Sequence, residues 1–285
     1  MATAILDDIP TRYEIVGSGP PLLMFSPGGF DATLEKWSTQ SIYAKVKPVD
    51  HLSRHFKCIV FDRRECGQSG GRFEAIGWKH YVAQGKALLD YLGIERAHLM
   101  GGCMGCPIAT TFAVSNPERV ASMILWWPVG GARYLKKAHE RFTVHEAFAR
   151  IEGLPAVVAL ARSEGKTFGA DPRVGPWASL LRTDEAFAQT YVKCSDDYYE
   201  TVVSKMGVNL FHSESAPGPE SKELMRLDVP TLIVPGRDEA HATSAARFLE
   251  ECIPGAQYWD VPPDGQTAES APPRLLEFLE STSNR

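Results

Sequence analysis

The chain has 285 residues, of which 44% are hydrophobic and 23% are charged, a composition typical of a soluble globular protein. Its formal net charge of −5 argues against a nucleic-acid partner and against an acidic membrane surface. No apolar run approaches the roughly 20 residues that span a bilayer, and residues 1–8 lack the basic and apolar regions of a secretion signal. The six cysteines show no framework spacing, which predicts reduced thiols and a cytoplasmic location.

Apolar runs bounded by Gly and Pro predict strands that alternate with helices along most of the chain. The predicted strands cover residues 12–16, 21–25, 57–61, 97–100, 120–127, 231–234 and 258–261. The predicted helices cover residues 78–92, a segment that includes 108–113, and a closing segment that includes 274–279. This alternation predicts an α/β fold with a mostly parallel sheet and helices on both of its faces.

Residues 128–227 break the alternation. They are predicted to form amphipathic helices over residues 142–151, 154–161, 185–192 and 198–206, followed by a polar linker with two prolines over 213–221. The interpretation is a core made of residues 1–127 and 228–285, with 128–227 inserted as a helical cap over the strand ends.

The segment Gly101-Gly102-Cys103-Met104-Gly105 lies between a predicted strand and a predicted helix. Glycines two residues either side of Cys103 suit a tight, strained turn that neighbouring backbone passes closely. Such a turn exposes the thiol at a helix N-terminus, whose partial positive charge favours the thiolate. The pattern therefore predicts a nucleophile at Cys103. The alternatives are a phosphate-binding loop, for which the usual Lys-Ser/Thr is missing, and an ordinary buried Cys.

Three further motifs accompany this one in order: Pro27-Gly28-Gly29-Phe30, residues 62–69 and residues 234–239. With all four, the chain resembles a cap-bearing α/β-hydrolase over essentially its whole length. The resemblance implies an oxyanion hole formed by the backbone N–H groups of Gly29 and Met104, with Phe30 as the alternative to Gly29. It also implies that Asp238 is the acid of a catalytic triad, with Glu239 as the alternative.

The resemblance places a catalytic His in a loop roughly 25 to 30 residues after the acid. This chain has Gly265-Gln266 there, and no His follows His241. Glutamine cannot titrate, but a Cys of lowered pKa is partly thiolate without a base. Cys103 and Gln266 are therefore interpreted as matched changes, with Gln266 in the third catalytic position. His241 is interpreted as a polar loop residue, the alternative being that it reaches the mouth of the pocket.

Other residues complete the predicted site. The histidines of the predicted cap are interpreted as solvated residues on helix faces: His139, His145 and His212. An apolar substrate pocket under the cap is predicted from aromatic residues: Phe30, Trp37, Trp127 and Trp177. No cluster with metal-ligand spacing and no cofactor fingerprint is present, so neither a metal nor a cofactor is expected.

The predicted function is hydrolysis of a small, largely apolar ester, lactone or cleavable carbonyl compound with Cys103 as nucleophile. A resemblance to dienelactone hydrolases implies that this fold can use Cys, although that family retains its His. The alternative is a cofactor-free lyase, isomerase or ligand-binding protein, which Gln266 supports. A redox role for the Cys-x-x-Cys at Cys103 and Cys106 is a third reading. The expected partner is a small-molecule substrate, without nucleic acid or membrane, and a homodimer stays open.

Overall fold

A computed structural model describes residues 2–213 and 215–283. One sheet contains the eight strands β1 Ala2–Leu6, β2 Ile9–Val16, β3 Pro21–Phe25, β4 Lys57–Phe61, β5 Ala97–Gly102, β6 Val120–Trp126, β7 Thr231–Val234 and β8 Gln257–Tyr258. Their order across the sheet is β1-β2-β4-β3-β5-β6-β7-β8. The pairs β1/β2 and β2/β4 are antiparallel, and all the others are parallel.

Helices flank this sheet: α1 Lys36–Thr39, α2 Ser41–Val46, α3 Pro48–Leu52, α4 Trp78–Tyr91, α5 Gly105–Ser115, α12 Thr243–Cys252 and α13 Ala271–Thr282, together with the short α11 Ser221–Leu224, which precedes β7. Between β6 and β7 lie α6 Ala132–Glu152, α7 Leu154–Glu164, α8 Ala178–Thr183, α9 Glu185–Tyr191 and α10 Asp196–Phe211. Single 3₁₀ turns occur at Gly29–Asp31, Pro117–Arg119, Pro172–Val174 and Pro263–Gly265. Within the described ranges, no helix combines the length and apolar character needed to cross a membrane.

Both faces of the sheet are buried, as alternation along β3 shows. Leu23 and Phe25 belong to the larger apolar core, which includes residues of α4, α5 and α12. Leu22 and Met24 belong to a second core with residues of α2 and α13. Because successive side chains of a strand point to opposite faces, a continuous apolar run is what a strand covered on both sides requires. The structure therefore has the predicted α/β-hydrolase architecture of a mostly parallel sheet between helical layers.

The bounds of a strand agree best with the prediction where the run of apolar residues ends abruptly. β3, β4 and β7 have the predicted bounds, whereas β8 is shorter and begins one residue earlier than predicted. The antiparallel edge strand β1, the short helices α1–α3 and helix α12 were not predicted. The short helices have only four to six residues each, too few for a helical period to stand out.

Helices α6–α10 fall inside the stretch assigned to the cap, and the domain boundaries themselves stay a prediction. The linker interpretation of residues 213–221 is wrong in part, because Ala216, Pro217 and Gly218 are buried. Ser215 accepts a 2.6 Å hydrogen bond from the backbone N–H of Gly131. The segment is thus packed against the start of α6 instead of lying free in solvent.

Parallel strands direct their carboxyl ends to one edge of the sheet. The loop at residues 26–29 follows β3, Cys103 follows β5, Trp127 follows β6, and residues 235–242 follow β7. The sequence-predicted functional groups are therefore brought together at this edge, beneath α6 and α10.

Candidate active site

Cys103 occupies a strained turn between β5 and α5. Its φ of 53° is in the left-handed region, which non-glycine residues rarely adopt. The flanking glycines are needed for space: a Cβ on Gly101 would lie 2.6 Å from the carbonyl oxygen of Gly105, and one on Gly105 would lie 2.1 Å from that of Phe25. The turn places Cys103 at the N-terminal end of α5, where the thiol remains 9% exposed. This geometry is that of a nucleophile elbow.

The loop after β7 brings an acid and an imidazole together. One oxygen of Asp238, Oδ1, accepts hydrogen bonds from the backbone N–H groups of Ala240 at 2.8 Å and His241 at 2.9 Å. The same carboxylate contacts His241 Nδ1 at 2.8 and 2.9 Å. The neighbouring carboxylate, Glu239, instead forms a surface ion pair with Lys137. Of the two acids that the sequence left open, the structure therefore pairs Asp238 with the imidazole.

His241 and Cys103 interact directly. With Nδ1 held by Asp238, Nε2 is the ring atom left for the thiol. It is buried and meets no partner at strict hydrogen-bond geometry among the described residues, so the contact with sulfur is mainly electrostatic. Burial lowers the pKa of His241, but the charge of Cys103 and the hydrogen bond with Asp238 raise it to about 10. The hydrogen bond from His241 in turn holds the pKa of Asp238 at about 2.

The Cys103 thiol is acidified by its surroundings. Burial raises its pKa, but the charge of the adjacent His241 imidazole and the backbone N–H groups of Met104 and Gly28 lower it, with a net downward shift. The downward shift favours a thiolate beside a protonated imidazole, the charge state in which a cysteine is most nucleophilic.

The interpretation of His241 as a polar loop residue is wrong, and the alternative, that it reaches the mouth of the pocket, is the one that the structure supports. The resemblance placed the imidazole in the loop after β8, whereas here it lies three residues after Asp238, in the loop after β7. The local signal was present in the sequence, because Asp-x-x-His in one loop lets the carboxylate orient the ring. His241 was missed because its distance along the chain from the acid differs from the family pattern.

The assignment of Gln266 to the third catalytic position is also wrong. Its side chain is 1% exposed and lies outside the cavity beside Cys103. Oε1 accepts hydrogen bonds from the indoles of Trp126 at 3.0 Å and Trp127 at 2.8 Å. Nε2 donates to the carbonyl oxygens of Pro235 at 2.8 Å and Val261 at 2.9 Å. With both ends of the amide engaged, Gln266 has no free group to offer a substrate.

The segment at residues 27–30 lies beside the elbow and lines the same cavity. Gly28 and Gly29 both line the cavity with Cys103 and Met104. The N–H of Gly28 joins that of Met104 in lowering the pKa of the sulfur, and the buried guanidinium of Arg63 donates to the carbonyl oxygen of Gly29. The choice of Gly29 for the oxyanion hole stays a prediction, and Gly28 is a further candidate donor.

A cavity of about 220 Å³ opens beside the sulfur. Its lining comes from the strand-end loops and from the helical segment above them: Gly28, Gly29, Phe30, Gln40, Cys103, Met104, Tyr134, Ala138, Arg141, Phe142, Thr167, Phe168, Gly169, Phe211, Ala240 and His241. Most of this lining is apolar, with aromatic rings of Phe142, Phe168 and Phe211 packed around Phe30. The cavity is thus an apolar chamber with a thiol and an imidazole at one end.

Of the four predicted pocket aromatics, only Phe30 lines this cavity. Trp37 packs against Tyr43 in the core, with ring centroids 5.1 Å apart. Trp177 packs against Phe73 at 4.7 Å. Trp127 contacts the ring of His241 at 5.3 Å instead of facing the cavity. The prediction for these three tryptophans is wrong, because a large aromatic residue is buried in ordinary core as readily as in a binding pocket.

His145 also differs from expectation. It is fully buried in α6, with Nδ1 3.1 Å from the carbonyl oxygen of Arg173 and Nε2 hydrogen-bonded to Tyr199. Burial lowers its pKa to about 4, so it is neutral at physiological pH. Its side chain lines no part of the cavity beside Cys103 and is structural.

Comparison with known proteins agrees with this architecture. Residues 21–145 match the family model described as alpha/beta hydrolase fold. The chain is 56% identical over 127 residues to a 2-hydroxy-6-oxo-6-phenylhexa-2,4-dienoate hydrolase of Comamonas testosteroni, covering 44% of this chain and 42% of that protein. It is 31% identical over 127 residues to the dihydrolipoyllysine-residue acetyltransferase component of the acetoin cleaving system of Cupriavidus necator, covering 45% of this chain and 32% of that protein. The chain thus matches less than half the length of either relative.

A solved structure extends the likeness over the whole chain. The enol-lactonase of Burkholderia xenovorans LB400 superimposes with a TM-score of 0.62, covering 98% of this chain and 100% of that one at 20% identity. At this level of identity the likeness concerns the fold alone. Sheet order, elbow and matched segment together identify the chain as a protein of the α/β-hydrolase fold.

Proposed function

We propose that this protein is a hydrolase of a small, largely apolar ester, lactone or cleavable carbonyl compound, and that it acts through a thioester on Cys103. The observation that carries the proposal is the line Asp238–His241–Cys103 at one end of the apolar cavity. A carboxylate that orients an imidazole, and an imidazole beside a nucleophile, are the parts that acyl transfer needs. Hydrolase relatives add support.

In the first half-reaction, the Cys103 thiolate attacks the carbonyl carbon and a C–S bond forms. The N–H of Met104, with that of Gly28 or Gly29, stabilises the negative charge on the carbonyl oxygen. The bond to the leaving group breaks, and the leaving oxygen takes the proton of the His241 imidazolium. The products of this half are a thioester and an alcohol or enol.

In the second half-reaction, the neutral His241 takes a proton from water and the resulting hydroxide adds to the thioester carbon. The C–S bond breaks, which releases the acid and restores the thiolate beside the imidazolium. Asp238 keeps its negative charge throughout and holds the ring in one orientation. In this mechanism His241 supplies the base that Gln266, which cannot titrate, could not provide.

Neither alternative from the sequence is favoured. The non-hydrolytic reading depended on Gln266, which lies outside the cavity. The redox reading needs Cys106 to attack the nucleophile, but Cys106 Sγ is fully buried and donates to the carbonyl oxygen of Gly101 at 3.1 Å. Burial raises the pKa of Cys106 well above its ordinary value, which makes it a poor resolving thiol.

The proposal predicts a covalent intermediate on one residue. When the protein is mixed with a short-chain p-nitrophenyl ester and quenched in acid, its intact mass should rise by the mass of the acyl group. Peptide mapping should place the added mass on Cys103, because this thiol alone combines a lowered pKa with access to the cavity among the described residues. An adduct on another residue, or the same adduct in the Cys103→Ala variant, would contradict the proposal.

The cavity also suggests a charge on the substrate. Arg141 lines it and is half-buried, yet makes no hydrogen bond or ion pair with the part of the chain that the structure describes. A partly desolvated guanidinium at the side of an apolar chamber favours a carboxylate ligand. The Comamonas relative is named for a dienoate substrate. We therefore include an anionic group in the proposed substrate.

The Arg141→Leu variant should bind anionic substrates less well. We expect KM for a p-nitrophenyl hemi-ester of a small dicarboxylic acid to rise by about tenfold or more, with KM for a neutral ester of similar length changed less than about twofold. Steady-state kinetics on the two esters measures this difference. Arg133→Leu, which changes an exposed arginine on the same helix, is the matched control. An equal effect of Arg141→Leu on both esters would rule out the charge recognition.

A further inference from the structure

Within the described residues, Gln266 is the only residue whose side chain hydrogen-bonds to both indoles at the end of β6, those of Trp126 and Trp127. Its Oε1 accepts from the two indoles and its Nε2 donates to two backbone carbonyls, of Pro235 and Val261. An amide has two acceptor positions and two N–H groups, so the side chain is completely paired. A buried polar group paired on all sides is held in one position.

The first of these indoles belongs to Trp126, which is hydrogen-bonded to the proposed nucleophile. The carbonyl oxygen of Trp126 accepts the backbone N–H of Cys103 at 3.1 Å, and also the hydroxyl of Tyr43 at 2.8 Å. Fixing Trp126 therefore fixes the residue against which the strained elbow closes. Because the elbow has no freedom to absorb a shift of its neighbour, displacement of Trp126 displaces the sulfur.

The second indole, that of Trp127, packs against the proposed base. Trp127 has a φ of 55°, a strained conformation for a non-glycine residue, and its ring lies 5.3 Å from the ring of His241. Between them is Gly236, where a Cβ would stand 2.5 Å from the Cβ of His241 and 3.1 Å from the Trp127 ring. The imidazole is thus seated on an indole that Gln266 holds in place.

The remaining hydrogen bonds reach the loop itself. Pro235, which accepts from Gln266 Nε2, begins the loop that ends with Asp238 and His241. The Gln266 side chain therefore contacts Trp126, which is hydrogen-bonded to Cys103, Trp127, which packs against His241, and Pro235, which begins the loop of Asp238. We propose that Gln266 is a positioning residue that keeps the Cys103 sulfur and the His241 imidazole at their working separation, acting through Trp126, Trp127 and Pro235.

The proposal rests on the nucleophile–base pair of the proposed function, but its test needs no substrate. The separation of sulfur and imidazole governs how far His241 acidifies Cys103, so the thiolate titration reports on it. Other titratable or charged groups around the pair are Asp238 on the same loop, Tyr43 from α2, Tyr134 and Arg141 from α6, and Cys106 from α5. Burial raises the pKa values of both tyrosines and of Cys106, so none of these three titrates near neutral pH.

The Gln266→Met variant tests the proposal, because Met nearly conserves volume while removing all four hydrogen bonds. We expect the midpoint of the Cys103 thiolate titration to rise by about one pH unit or more. It would be followed by ultraviolet absorbance and by the rate of alkylation with iodoacetamide, and Cys103→Ala provides the baseline. We also expect kcat to fall by about tenfold or more. KM should stay nearly constant, because Gln266 does not line the cavity.

A second buried glutamine provides the matched control. Gln84 accepts from the backbone N–H of Arg64 and donates to Thr11 Oγ1 and to the carbonyl oxygen of Asp62. Gln84→Met should lower the thermal midpoint of unfolding without moving the thiolate titration. If Gln266→Met behaves in the same way, with stability lowered and the titration unmoved, its role is structural and the proposal is overturned.

The Trp127→Phe variant keeps the proposal testable should Gln266→Met fail to fold. It retains a ring beside His241 but removes the hydrogen bond to Gln266. We expect a smaller shift of the titration in the same direction, and an unmoved titration would overturn the proposal. Failure of the proposed function would look different, because the thiolate would then titrate as described while Cys103→Ala retained full turnover.

Discussion

The Cys103→Ala variant is expected to lose turnover almost completely, with kcat/KM lower by about 10⁴- to 10⁶-fold. Alanine removes the only protein atom in the proposed mechanism that forms a bond to the acyl group. The substrate would still bind, and the N–H of Met104, with that of Gly28 or Gly29, would still polarise its carbonyl, so only the residual catalysis of binding and polarisation should remain. Steady-state hydrolysis of the best p-nitrophenyl ester measures the loss.

Cys106→Ala is the matched control for this prediction. It removes the neighbouring buried thiol, whose Sγ donates to the carbonyl oxygens of Gly101 at 3.1 Å and Trp126 at 3.5 Å. We expect a loss of about 1 kcal/mol in the free energy of unfolding, with turnover retained. If instead Cys103→Ala keeps more than about a tenth of the parent rate, the reaction proceeds without the thiol and the proposed mechanism fails.

Most of the sheet could be predicted because local chemistry decides it. Pro21–Phe25 and Lys57–Phe61 are runs of apolar residues ended by turn-forming or charged residues, and both were found with their bounds. The short helices over Lys36–Leu52 could not be found in this way. What fixes them is the burial of residues such as Trp37 and Tyr43 against the sheet, a contact with residues distant in the chain.

In the candidate site, too, features set by local sequence could be predicted and features set by distant contacts could not. The tight turn at Cys103 could be predicted because a strained turn requires glycines on both sides of it. Asp238 was proposed from the family resemblance, and the structure pairs it with an imidazole. The base was missed because the distance between acid and imidazole along the chain is not set by chemistry, which requires only that the ring reach both groups. In this fold, adjacent loops meet at one edge, and a ring supplied by either loop can satisfy that requirement.

Gln266 shows the limit of reasoning from position alone. The resemblance assigned it a catalytic place, but its role is decided by Trp126 and Trp127, which lie 140 and 139 residues away in the chain. No sequence pattern around residue 266 predicts these contacts. With the imidazole supplied by His241, a residue at that position is free to become a support, and a side chain with two acceptor and two donor positions suits the four groups around it.

The His241→Gln variant is expected to lower kcat/KM by about 10³- to 10⁵-fold at neutral pH. Two effects combine. The leaving group and the attacking water lose their proton donor and acceptor. The thiol also loses the charge that lowers its pKa, so burial prevails and the thiolate forms only at alkaline pH. The remaining activity should therefore rise with pH by about tenfold per unit below the new thiol pKa, and the parent rate should level off at a lower pH, because its thiol pKa is lower.

Two further variants test whether His241 is the base. His139→Gln, which changes an exposed histidine of α6, should leave both the rate and its pH profile as in the parent. The double variant His241→Gln, Gln266→His places an imidazole where the family resemblance predicted one, but behind two indoles and outside the cavity. An imidazole there also cannot replace the four hydrogen bonds of the amide. We therefore expect no rescue, and recovery of activity in the double variant would return the base to position 266.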